Sequence, residues 1–147
     1  HANDTLALDA LVREMAADPR TPIVFYKPPG IDDTSGLGWE RNDLVLVFSS
    51  EFQREQFRAH AWKLVACDGT FGISDKDLQL LATVVVDDAG QAVPVAWAIV
   101  PVENKRAYKT MFQVLASHAP DAVNAQVTTM MSDDNPSCEC DCTARMH

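Results

Sequence analysis

The stretch WKLVACDGTF, residues 62–71, decides how this chain is read. An apolar run through Leu64, Val65 and Ala66 meets a carboxylate at Asp68, followed by Gly69 and Thr70. A buried charge is costly and usually survives only with a partner or a metal, so an aspartate closing such a run asks for a reason. A similar pattern occurs once more, in VTTMMSDD, residues 127–134. We therefore expect a strand from Trp62 to Cys67 ending at Asp68, and another from Val127 to Ser132 running into Asp133.

Working outward, residues 78–86 read as a strand with two largely apolar faces, Leu78, Leu80, Ala82, Val84 and Val86 against Leu81, Thr83 and Val85. That pattern suits a central strand covered on both sides. The turn DDAG, residues 87–90, leads to a third strand, Ala92 to Val100, which completes an antiparallel meander. Pro94 cannot donate to a ladder, which predicts that this third strand is an edge. Asn104 then caps a helix whose apolar stripe is Ala107, Tyr108, Met111, Phe112 and Leu115, ending at Ala119-Pro120. A helix between strands is the usual crossover of a parallel pair. If the last strand returns beside Trp62 to Cys67, Asp68 and Asp133 lie at one end of the sheet, on strands about 4.8 Å apart.

The front of the chain is simpler. Leu8, Leu11, Val12 and Met15 recur at helical spacing after Asp4, a candidate N-cap, and the pattern stops before Pro19. Residues 23–26 and 44–48 read as strands separated by the loop 27–38, and Ser50 with Gln53 has capping-box spacing before a helix through about His60. The reading divides the chain into a helix and strand segment over 1–60, a core over 61–135 and a cysteine-rich tail over 136–147.

Composition sets limits. With 147 residues, 47% hydrophobic and 22% charged, the chain is of globular type. Its apolar runs are strand-length and too short to span a bilayer. A net charge of -9 weighs against binding nucleic acid through bulk electrostatics, but leaves room for a site that holds cations. Cys67 stands apart from Cys138, Cys140 and Cys142, whose alternate spacing suits disulfides poorly, so a reducing intracellular compartment is expected. The chain opens on His1 without a leader pattern, which reads as a piece of a longer protein.

The ordered set CDGTF, then LLATVVVDDAGQAVPVAWAIVPVENKRAYKTMFQVL, then MMSDD resembles the transposase domain of Mutator-like elements (MULE) over roughly residues 40–135. The resemblance implies an α/β, RNase H-like mixed sheet, a three-strand antiparallel meander plus a parallel strand, flanked by helices and truncated at the C-terminus. It also implies that Asp68 and Asp133, with Asp134 as the fallback if the register is one off, are the first two acids of a DDE triad. The cofactor implied is Mg²⁺ or Mn²⁺, the partner DNA at transposon ends, the location intracellular and nuclear, and no membrane is involved. The third acid, a glutamate well beyond the second aspartate, is missing before His147, and Glu139 is too close to serve. The chain alone is accordingly expected to be inactive.

Plainer readings stand beside these. Asp68-Gly69 and Ser132-Asp133-Asp134-Asn135 are each acceptable turns. Trp62, Trp97, Phe71, Tyr108 and Phe112 read as core, and Arg54, Arg58, Lys105, Arg106 and Lys109 as a solvated face. The cluster Cys138, Cys140, Cys142 and His147 has zinc-type ligands without the usual C-x2-C spacing, so zinc is not expected and the tail is read as outside the fold. Two function classes follow: a fragment of a metal-dependent DNA transposase, or a domesticated, inactive module serving protein partners in a larger assembly.

Overall fold

A computed structural model describes residues 2–70, 77–118 and 130–132. Its elements in order are α1 (Ala2–Ala16), β1 (Ile23–Lys27), β2 (Val45–Phe48), α2 (Glu51–His60), β3 (Val65–Thr70), β4 (Gln79–Val86), β5 (Ala92–Val100), α3 (Lys105–His118) and β6 (Met130–Ser132). The fold is mixed α/β, with three helices and five strands in antiparallel neighbourhood. The sheet order is β1-β2-β5-β4-β3-β6, so the front strand pair continues the same sheet as the meander. The short β6 pairs in parallel with β3, matching Val65 to Met130, Ala66 to Met131 and Cys67 to Ser132. The expected residues 127–129 of that strand lie outside the described residues.

One face of the sheet carries the core. Leu81, Thr83 and Val85 of β4, Ala96, Ala98 and Val100 of β5, Val45 and Val47 of β2, and Val65 and Cys67 of β3 are all buried. Against them pack Phe57 of α2 and Ala107, Met111 and Leu115 of α3. Arg58 Nη2 donates to the His118 carbonyl at 2.9 Å, joining the two helices on that side. On the other face Leu80, Ala82 and Val84 are only half-buried. β4 is central as its sequence predicts, but its two apolar faces are unequally covered among the described residues.

Local signals in the sequence account for the boundaries. The Ser50 side chain accepts from the Gln53 N–H at 3.2 Å while Gln53 Oε1 accepts from the Ser50 N–H at 2.8 Å, a reciprocal cap that starts α2. Asn104 Oδ1 accepts from the Ala107 N–H at 3.0 Å and starts α3. In the β4–β5 turn Asp87 Oδ1 accepts from the N–H groups of Ala89 and Gln91, and Gly90 takes the left-handed φ of 77° that the turn needs.

Three expectations are corrected. β5 is interior, not an edge: it pairs with β4 along its length and with β2 at Trp97, Ala98 and Ile99. Pro94 is tolerated there because the register slips between Thr83 and Val84, leaving Val95 as the extra residue of a bulge, and because the β2 pairing begins beyond it. Trp62 precedes β3, which begins at Val65, and is 48% exposed. Its indole N–H reaches the Ala59 carbonyl at 3.0 Å and the Lys63 ammonium lies 5.3 Å from the ring centre, so it is a surface ring on the turn after α2. Asp4 lies inside the first turn of α1, where a carboxylate suits the helix dipole, and does not cap it. Val12 is buried on that helix, whereas Leu11 and Met15 are exposed.

The loop between β1 and β2 is held by two saturated charges. Lys27, 4% exposed, donates from Nζ to the carbonyls of Glu40, Arg41 and Asp43 at 2.5, 2.7 and 2.9 Å. The Asp33 carboxylate accepts from the Ser35 N–H and hydroxyl at 2.9 and 2.5 Å and from the N–H groups of Gly38 and Trp39 at 2.8 and 3.1 Å. Trp39 is buried and its indole N–H reaches Thr110 Oγ1 on α3 at 3.0 Å, so the loop is tied to that helix.

Candidate functional site

β3 is the strand that presents Asp68. Its inward residues Val65 and Cys67 are buried, and Cys67 Sγ lies 3.7 Å from Thr83 Oγ1 of β4. Alternation turns the Asp68 side chain to the other face of the sheet, where it is exposed. The strand does not end there: Asp68 pairs with Ala82, Gly69 with Leu81 and Thr70 with Leu80. This corrects the expected boundary and removes the turn reading of Asp68-Gly69. Among the described residues the Asp68 carboxylate has no hydrogen-bonding or ion-pair partner. Its backbone is fixed by the ladder and its oxygens are uncommitted.

Gly69 has a packing reason. A Cβ at that position would land on the Glu103 carboxylate, which lies directly over the strand. Glu103 accepts from the Tyr108 hydroxyl, and its N–H donates to the Gln79 side chain at the start of β4. Gln79 pairs with Val100, and Leu80 with Thr70, so the C-terminal ends of β3 and β5, the start of β4 and the first turn of α3 share one end of the sheet. Sequence reading missed Glu103; its only signal was a glycine after an aspartate inside an otherwise apolar strand.

The parallel register matches Cys67 to Ser132 as its last described pair. In sequence the residues that follow are Asp68 and Asp133. Asp133 and the fallback Asp134 lie outside the described residues, as do Glu139, Phe71 and the cluster Cys138, Cys140, Cys142 and His147. Among the described residues no group of three or more His, Cys, Asp or Glu side chains gathers in a way that could hold a metal ion. No described helix is long and apolar enough to cross a membrane.

The family model for the MULE transposase domain matches residues 64–142, more than half of the chain. The chain belongs to the MULE transposase domain family. Its function is therefore transposase-related. No curated protein and no solved structure matched in the corresponding comparisons. The MULE match begins one residue before β3 and spans the meander, α3 and β6, so it includes both Asp68 and Asp133. The front segment, with α1, β1, β2 and α2, precedes it. Divalent metals are general to DDE transposases, and the fit to this MULE chain rests on Asp68. An exposed, uncommitted carboxylate on a rigid strand offers the oxygen donor that a hard ion such as Mg²⁺ prefers.

Proposed function

We propose that this chain carries the first part of an RNase H-like transposase catalytic core, and that Asp68 and Asp133 are two of its metal-holding carboxylates. The single observation that carries the reading is Asp68 itself: an exposed carboxylate without a described partner, on a strand anchored in the core by the buried Val65 and Cys67. The strand order β5-β4-β3-β6 and the Cys67 to Ser132 register support it, because the second aspartate follows the residue opposite Cys67 in sequence. Membership in the MULE transposase domain family supports the reaction class we assign, phosphodiester cleavage and strand transfer on DNA.

Asp68 would contribute an oxygen ligand from a position fixed by the β4 ladder, and Asp133 would complete the pair. A divalent ion held there supplies Lewis-acid polarisation of a phosphoryl oxygen and a more acidic attacking water or hydroxyl. Without such an ion the two carboxylates repel if they lie close together. Glu103 and Gly69 act beneath the site, setting how closely the loop before α3 approaches β3.

The test is thermal unfolding across a Mg²⁺ or Mn²⁺ series. Metal at about ten times its dissociation constant adds about 1.4 kcal/mol by linkage, a rise of roughly 3–6 °C for a domain of this size. Asp68→Asn should remove that rise. Equal metal response in the parent and the variant would sink the assignment.

A further inference from the structure

The first turns of α3 place three cations together. Lys105, Arg106 and Lys109 are exposed on one side of the helix and, with Leu37 and Asn104, line a shallow recess. Arg106 is 5.6 Å from the centre of the Trp39 ring, which packs it against the loop pinned by Lys27 and Asp33. Among the described residues none of the three pairs with a carboxylate. Glu103, the nearest acid in sequence, is engaged by the Tyr108 hydroxyl.

Stability does not explain this cluster. The N-terminal end of a helix carries partial positive charge and favours acids; a cation there typically costs about 0.3–1 kcal/mol. The first turn of α3 has no acid at all, and two of the three cations sit in it. The chain as a whole carries a net charge of -9, so such a concentration is not a by-product of composition. Its location adds to the argument: Glu103 rests on Gly69, so this helix start lies at the same end of the sheet as Asp68, on the face opposite the Asp68 side chain.

We propose that Lys105, Arg106 and Lys109 form a phosphate-contacting surface that holds the backbone of duplex DNA beside the Asp68 end of the sheet. The inference rests on the transposase reading and assigns the substrate's phosphates to a particular face. The planar Arg106, braced on Trp39, gives a fixed contact. Lys105 and Lys109 add point charges one helical turn apart. The rest of the acidic surface would repel the duplex and confine it to this face.

The experiment is fluorescence anisotropy of a labelled duplex with the 147-residue chain, repeated over a salt series. The variant carries Lys105→Ala, Arg106→Gln and Lys109→Ala. Three lost phosphate contacts should flatten the slope of log K against log salt by about 2.7 and weaken binding at least about tenfold near 0.1 M salt. A control carrying Arg13→Ala, Arg20→Gln and Lys63→Ala makes the same change in net charge at cations that already pair with Asp9, Asp18 and Asp88, and it should keep most of the parent's affinity. Equal losses in variant and control, an unchanged slope in the variant, or no duplex binding by the parent would each overturn the inference. The metal-dependent rise in unfolding temperature is a separate readout, so loss of the phosphate surface and loss of the metal site are distinguishable.

Discussion

Lys27 and Asp68 each place a charge in a strand of apolar residues, and the sheet treats them in opposite ways. Lys27 is buried and its ammonium is shared among three carbonyls that hold the β1–β2 loop. Asp68 is exposed, and among the described residues its carboxylate is engaged by nothing. The first charge is spent on architecture. The second is kept available by a strand whose backbone is locked on both sides up to Cys67 and by β4 beyond it. A charge in a strand is therefore not by itself a sign of function; what matters is whether the fold has already supplied its partners.

The largest effect that tests this contrast is the loss of Lys27. Lys27→Met keeps most of the volume but strips three charge-assisted bonds between a buried ammonium and part-buried loop carbonyls, and it should destabilise the chain by about 2–3 kcal/mol. Asp68→Asn, measured in the same urea unfolding series without metal, should stay within about 0.5 kcal/mol of the parent. Similar costs for the two substitutions would break the comparison.

A smaller, pH-dependent effect belongs to Asp33, the other saturated charge in the loop. Desolvation pushes its carboxyl up, but the hydrogen bonds from the Ser35 hydroxyl and N–H and from the N–H groups of Trp39 and Gly38 outweigh it and hold the value at about 2, below the ordinary 3.8. A folded value below the unfolded one stabilises the fold fully above about pH 4, and that stabilisation is lost as pH falls toward 2. Asp33→Asn should therefore lose less stability than the parent between about pH 4 and 2, read as urea midpoints at successive pH values. Parallel losses would show that the loop does not use its charge in this way.

How far the sequence carries depends on the range of the interaction. The Ser50 and Gln53 cap, the DDAG turn and the apolar stripe of α3 were legible because each is settled within a few residues. The interior position of β5 was not, because Pro94 argues for an edge until the bulge at Val95 is known, and a bulge is a property of two strands together. Asp68 stands out in the sequence as a charge closing an apolar run, yet it is exposed and carries no burial cost, and its place inside β3 is hidden by Gly69, which reads as a turn residue and in the fold lies against the Glu103 carboxylate. Lys27 gave no signal at all: its three carbonyl partners come from a loop whose path the sequence does not specify. The cations of α3 read as a solvated face, and it is their lack of carboxylate partners among the described residues, near the acid-favouring end of a helix, that gives them another meaning.

The most direct test of the central claim is Mn²⁺ titration followed by amide NMR. A bound Mn²⁺ broadens signals near it, and a metal held by Asp68 should first broaden the amides of Cys67, Asp68 and Gly69 together with that of their ladder neighbour Ala82. Excess Mg²⁺ should restore them, and Asp68→Asn should abolish the effect. The Asp33 loop, whose carboxylate is already saturated, should remain sharp throughout. Broadening centred on that loop, or scattered over the acidic surface and unchanged by Asp68→Asn, would contradict the assignment of Asp68 as a metal-holding carboxylate.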